Sequence, residues 1–140
     1  MVKINQRELS ELCFEFGLAF TALFGSSLKE GRAFKKDFDF AVLALTPLSD
    51  DQERELTGRF CRILKSNDVD LVVLNFASPL LQYEVARGAK LLYERAPGSF
   101  NDFRNLAIRK WNDNRKFTDL KIDYIKDFIK ERHVAKNRCN

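Results

Sequence analysis

The chain predicts an α/β (α+β) domain in which a small mixed β-sheet is flanked by helices and followed by a C-terminal helical extension. Three observations predict it. Short apolar runs at residues 18–24, 38–45 and 69–75 are bounded by Gly, Pro or polar residues, as buried strands are. Segments whose apolar residues recur at helical spacing alternate with these runs. Beyond a Pro97-Gly98 turn, two further stripes of helical period fill the remainder.

Each element has a local cause. Leu9, Leu12, Cys13 and Phe16 place one apolar face on a helix over residues 6–16, which Gly17 stops. The run 18–24 follows as a strand and delivers Gly25 and Ser26 at its end. Residues 38–45 form the second strand, closed by Pro47. Ser49 caps a helix from residue 50 to about residue 65, with Asp51 and Glu53 early in it to complement the helix dipole. Its apolar stripe is Leu56, Phe60, Ile63 and Leu64. The third strand spans 69–75. Ser78-Pro79 opens another helix, with Gly88 just past its end, and residues 90–93 add a short fourth strand. In the tail, Phe100, Phe103, Leu106, Ala107 and Trp111 make one stripe, and Phe117, Leu120, Tyr124 and Phe128 make another. The organisation expected is a core over residues 1–96 and a helical extension over 97–140 packed on it, a single domain overall.

Composition narrows the function. With 140 residues, 45% apolar and 31% charged, the chain is long enough to bury a core and has the balance of a folded protein. No apolar run approaches the roughly 20 residues that cross a bilayer, and the N-terminal stretch lacks the apolar centre of a secretory signal, so a cytoplasmic location is expected. Cys13, Cys61 and Cys139 are odd in number and widely spaced, which argues against both a disulfide framework and a zinc site. The lone His133 lies in a basic tail and takes no part in the expected chemistry. The net charge of +4 is concentrated there: residues 1–96 balance to −1, residues 97–140 to +5. Such asymmetry suits a nucleic-acid or acidic-protein partner as well as a solvated helix face. The tail lacks an interleaved basic and aromatic groove, so direct nucleic-acid binding is not expected.

The chemistry sits in Gly25-Ser26, a ten-residue spacer, and Asp37-Phe38-Asp39. Carboxylates at i and i+2 of a strand point to one face, so Asp37 and Asp39 can share one Mg²⁺, a hard cation that takes oxygen ligands and binds phosphates. Glycine at 25 lets a ligand approach the backbone, and Ser26 adds a hydroxyl donor at a turn whose amides can face an anion. Lys29, Arg32, Lys35 and Lys36 in the spacer are cations available to a triphosphate or to solvent. Asp70 interrupts an otherwise apolar strand, where a carboxylate needs a compensating partner, and a metal is the economical one. If the third strand lies beside the second, Asp70 joins the pair. Asp68, outside that strand, is the lesser candidate.

Together Gly25, Ser26, Asp37, Asp39 and Asp70 resemble the signature of the polymerase-β nucleotidyltransferase superfamily. The stretches at 68–75, 78–85 and 88–94 further resemble the minimal nucleotidyltransferase (MNT) antitoxins of HEPN/MNT toxin–antitoxin pairs. The resemblance implies ATP and Mg²⁺ as cofactors, with Asp37, Asp39 and Asp70 as metal ligands and catalytic acids and Gly25 and Ser26 on the triphosphate. It implies transfer of AMP to a tyrosine of a cognate HEPN toxin, an RNase silenced by the modification, within a hetero-oligomer. A binding-only antitoxin of the same fold and a nucleotidyltransferase for a small hydroxylated molecule such as an aminoglycoside are the alternatives.

Overall fold

The structure is a computed structural model that describes residues 4–25, 38–114, 126–127 and 129–130. Its elements are α1 (Gln6–Glu15), β1 (Leu18–Phe24), β2 (Phe38–Ala44), α2 (Asp50–Leu64), β3 (Val69–Val73), α3 (Pro79–Gly88), β4 (Lys90–Glu94) and α4 (Ser99–Asn114). The expected second tail stripe, Phe117, Leu120, Tyr124 and Phe128, lies outside the described residues.

Capping chemistry sets the helix starts. Asn5 caps α1 by accepting from the amides of Arg7 and Glu8. Ser49 and Gln52 form a reciprocal capping box on α2, and Ser78 accepts from Leu81 ahead of Pro79 on α3. The start of α4 is capped from a strand: Glu94 Oε2 accepts from the Phe100 amide at 2.9 Å.

The four strands order as β3-β2-β1-β4. β1 runs antiparallel to both β2 and β4, whereas β2 and β3 are parallel, joined by the α2 crossover. This is a mixed sheet with helices on both faces. On one face α1 and α2 bury Leu9, Leu12, Leu56 and Phe60 against Leu18, Phe40 and Val42. Phe40 and Phe60 stack there with ring centroids 4.8 Å apart and planes 15° from parallel. On the other face Leu74, Val85 and Phe100 cover Ala19, Phe20, Ala22 and Ala41. Phe20 meets Phe100 edge-on at 5.0 Å, and Tyr83 of α3 stacks on Trp111 of α4 at 5.2 Å.

Several boundaries differ from the sequence expectation by a residue or two, three of them at β3, α3 and β2. β3 stops at Val73 rather than at residue 75, because Leu74–Phe76 turn into a 3₁₀ helix. The cause is Asn75, whose side chain leaves the strand direction to clamp β2: the Ala44 amide donates to Asn75 Oδ1 at 2.9 Å, and Asn75 Nδ2 donates to the Ala44 carbonyl at 2.8 Å. Gly88 is the last residue of α3 rather than its stop, and the chain leaves the helix at Ala89 in an extended conformation. Leu45, expected in β2, lies just past it and is exposed.

One polar pair is sealed in the core. Cys13 Sγ lies 3.2 Å from Thr21 Oγ1, and Thr21 is fully buried. Burial pushes the Cys13 thiol up to about 11 even though the Thr21 contact pulls the other way.

Two outcomes are expected. Asn75→Ala leaves both Ala44 backbone groups without their partner and should cost about 1–3 kcal/mol in urea unfolding. The folded-state pKa of Cys13 stands above its ordinary value of 9.0, so the folded state favours the neutral thiol. That contribution to stability is complete below pH 9 and lost as pH rises through about 11. The unfolding midpoint should therefore fall across this window, and Cys13→Ala should flatten the part of the fall due to the thiol.

Candidate active site

Side-chain alternation along β2 divides its residues cleanly. Phe38, Phe40, Val42 and Ala44 pack toward α1 and α2, while Ala41 and Leu43 pack toward α3 and α4. Asp39 therefore belongs to the α3/α4 face. In β3, Val69, Leu71 and Val73 face α1 and α2, and Val72 the other side, which puts Asp70 on the same face as Asp39. The parallel register places the two acids opposite each other, Asp39 against Asp70. Both are half-buried near the leading ends of their strands.

The third contribution comes from β1. Its last residue, Phe24, pairs with Asp39, so the chain leaves β1 directly beside the Asp39 carboxylate. Gly25 follows with φ +82°, a left-handed conformation that favours glycine. A Cβ at this position would lie 2.6 Å from Asp39 Oδ2 and 3.4 Å from its Cγ. Backbone and carboxylate are thus packed as closely as the missing side chain permits.

Of the residues singled out from sequence, Gly25, Asp39 and Asp70 come together at one corner of the sheet. Ser26 and Asp37 lie outside the described residues, as does the spacer carrying Lys29, Arg32, Lys35 and Lys36. Asp68 is exposed ahead of β3, and its carbonyl accepts from the Phe38 amide at 2.8 Å, the bond that starts the β2/β3 ladder. Phe24 is the residue that motif reasoning passes over: apolar and at a strand end it looks like ordinary core, and only pairing shows it abreast of Asp39. Chemically, two carboxylates on paired strands beside a glycine backbone form an oxygen-rich corner suited to a hard cation.

Comparison with known proteins extends this geometry. The model of the family "Polymerase beta, Nucleotidyltransferase" matches residues 8–97. The protein adenylyltransferase MntA of Aphanizomenon flos-aquae (strain 2012/KM1/D3) is 29% identical over 122 residues, covering 80% of this chain and 81% of that protein. A crystal structure of a toxin–antitoxin with AMP-PNP superposes with a TM-score of 0.73 at 27% identity, covering 88% of this chain and 99% of the matched one. A structure of tri-AMPylated Shewanella oneidensis HEPN toxin in complex with MNT antitoxin gives a TM-score of 0.67 at 27% identity, covering 86% and 95%. Among the described residues no helix is long and apolar enough to cross a membrane. The family match spans well over half of the chain and takes in the corner built by Gly25, Asp39 and Asp70, and the chain belongs to the polymerase-β nucleotidyltransferase family.

Proposed function

We propose that this protein is an antitoxin that transfers AMP from ATP to a tyrosine of a cognate HEPN-family RNase toxin and thereby silences it. The observation that carries the reading is the in-register pairing of Asp39 with Asp70 beside the Cβ-free backbone of Gly25. Similarity to a protein named as an adenylyltransferase, and to antitoxin complexes containing AMP-PNP or AMPylated toxin, supports it.

The donor set fits Mg²⁺: carboxylate oxygens on neighbouring strands, about 4.8 Å apart in backbone spacing, suit a cation that prefers oxygen and shares itself with phosphates. Asp39 and Asp70, with Asp37 two residues before Asp39 in sequence, would hold it. When bound, Mg²⁺ neutralises charge on the triphosphate and on the attacking and leaving oxygens. Gly25 leaves room for the triphosphate at the end of β1, and Ser26 contributes a hydroxyl donor. The tyrosine oxygen attacks the α-phosphorus of ATP, the bond from that phosphorus to the pyrophosphate oxygen breaks, and pyrophosphate departs. We assign Asp70, beyond any share in holding the cation, the role of proton acceptor for the attacking hydroxyl. We assign residues 97–140 to a helical extension of the 1–96 core that contributes to the toxin-binding surface, and the reaction to the cytoplasm.

Incubation with ATP, Mg²⁺ and the product of the adjacent reading frame should yield a partner heavier by one or more AMP units in intact-mass spectrometry. Asp39→Ala and Asp70→Ala should each slow the transfer on the order of 100-fold or more, the scale of removing a principal electrostatic stabiliser. A partner that is inhibited yet never modified would replace catalysis by masking. Without nucleotide, Mg²⁺ at 100 times its dissociation constant should stabilise the wild type by about 2.7 kcal/mol. Asp39→Ala should lose that gain in thermal unfolding.

A further inference from the structure

Glycine at the end of β1 is ordinarily explained by the ligand: a Cβ there would obstruct the triphosphate. A second obstruction lies inside the protein. A Cβ on Gly25 would stand 2.6 Å from Asp39 Oδ2 and 3.4 Å from Asp39 Cγ, but 3.6 Å from Asp39 Cβ. The first distance is one that real Cβ atoms essentially never show, and the last is ordinary van der Waals contact. The conflict is therefore with the carboxylate head and not with the strand that bears it. The contact is built by the sheet, since Phe24 and Asp39 are paired residues of the antiparallel β1/β2 ladder.

We propose that Gly25 is a positioning residue for Asp39: by lacking a Cβ it reserves the place that the Asp39 carboxylate occupies, and so keeps that carboxylate aimed at the position opposite Asp70. The inference rests on the metal-site reading of Asp39 and extends it. An aspartate side chain is short and can swing. A methyl group at position 25 would turn the carboxylate off its site rather than unfold the sheet, so the defect appears in cation binding before any nucleotide arrives. A glycine serving the triphosphate alone would leave that binding intact.

The backbone of Gly25, at φ +82°, adds strain to any substitution, so the test must separate strain from the clash. Asn adopts left-handed conformations more readily than Ala yet carries the same Cβ. The experiment is Mn²⁺ binding to the full chain without nucleotide, followed by electron paramagnetic resonance, for wild type, Gly25→Ala, Gly25→Asn and Asp39→Ala. Both Gly25 variants should bind Mn²⁺ at least about tenfold more weakly than wild type, the range seen when a ligand loses the groups that orient it. Wild-type affinity in Gly25→Asn, or in both variants, overturns the proposal.

If Asp39→Ala binds Mn²⁺ as wild type does, the metal-site reading fails, and a urea-unfolding cycle then decides the role of Gly25 alone. Asp39→Ala removes the two atoms in conflict and leaves the ordinary contact. Gly25→Ala should therefore lower the unfolding midpoint less in the Asp39→Ala background than in wild type, the strain cancelling between the two arms. Equal shifts in the two backgrounds overturn the proposal.

Discussion

The parallel pairing of β2 with β3 is the constraint on which the site depends. Residues opposite each other in a ladder share a face, and a slip of one position would carry Asp70 to the α1/α2 side, into an apolar layer holding Phe38 and Phe40 of β2. Such burial of a carboxylate would be costly, so the same energetics that specify the register also bring the two acids together. The ladder is pinned at both ends. The Phe38 amide bonds to the Asp68 carbonyl at its start, and Asn75 clamps Ala44 at its finish.

The two faces of the sheet divide the labour. The α1/α2 face is closed by large side chains, with Phe40 stacked on Phe60 and with the Cys13–Thr21 pair sealed beside Val42. The opposite face packs against α3 and α4. Small residues Ala19, Ala22 and Ala41 let α3 and α4 lie close, with Phe20 wedged against Phe100 and Phe103.

Most elements were legible because their causes are local. Ser49 with Gln52, and Ser78 with Pro79, announce helix starts, and the strand of residues 18–24 is bounded by glycines on both sides. At 69–75 a distant partner intervenes. The run at 69–75 is apolar enough to continue as strand, yet Asn75 bends it by bonding to a residue 31 positions earlier. Gly88 looks like a helix stop and instead completes the last turn. Acid spacing singles out Asp39 as a candidate, and the oddity of a carboxylate in an apolar run singles out Asp70. Nothing local marks Phe24 as the residue abreast of Asp39, or Gly25 as a neighbour of its carboxylate.

The sequence by itself determined which segments are strands and helices, which acids interrupt them and where glycine frees the backbone, because each depends on residues within a turn or two of chain. Tertiary structure decided the order β3-β2-β1-β4, the parallel sense of β2 and β3, and the meeting of Gly25, Asp39 and Asp70. Those are matters of register between strands separated by a spacer and a crossover helix, and register is set by burial of whole faces, an energy that no short stretch of sequence contains.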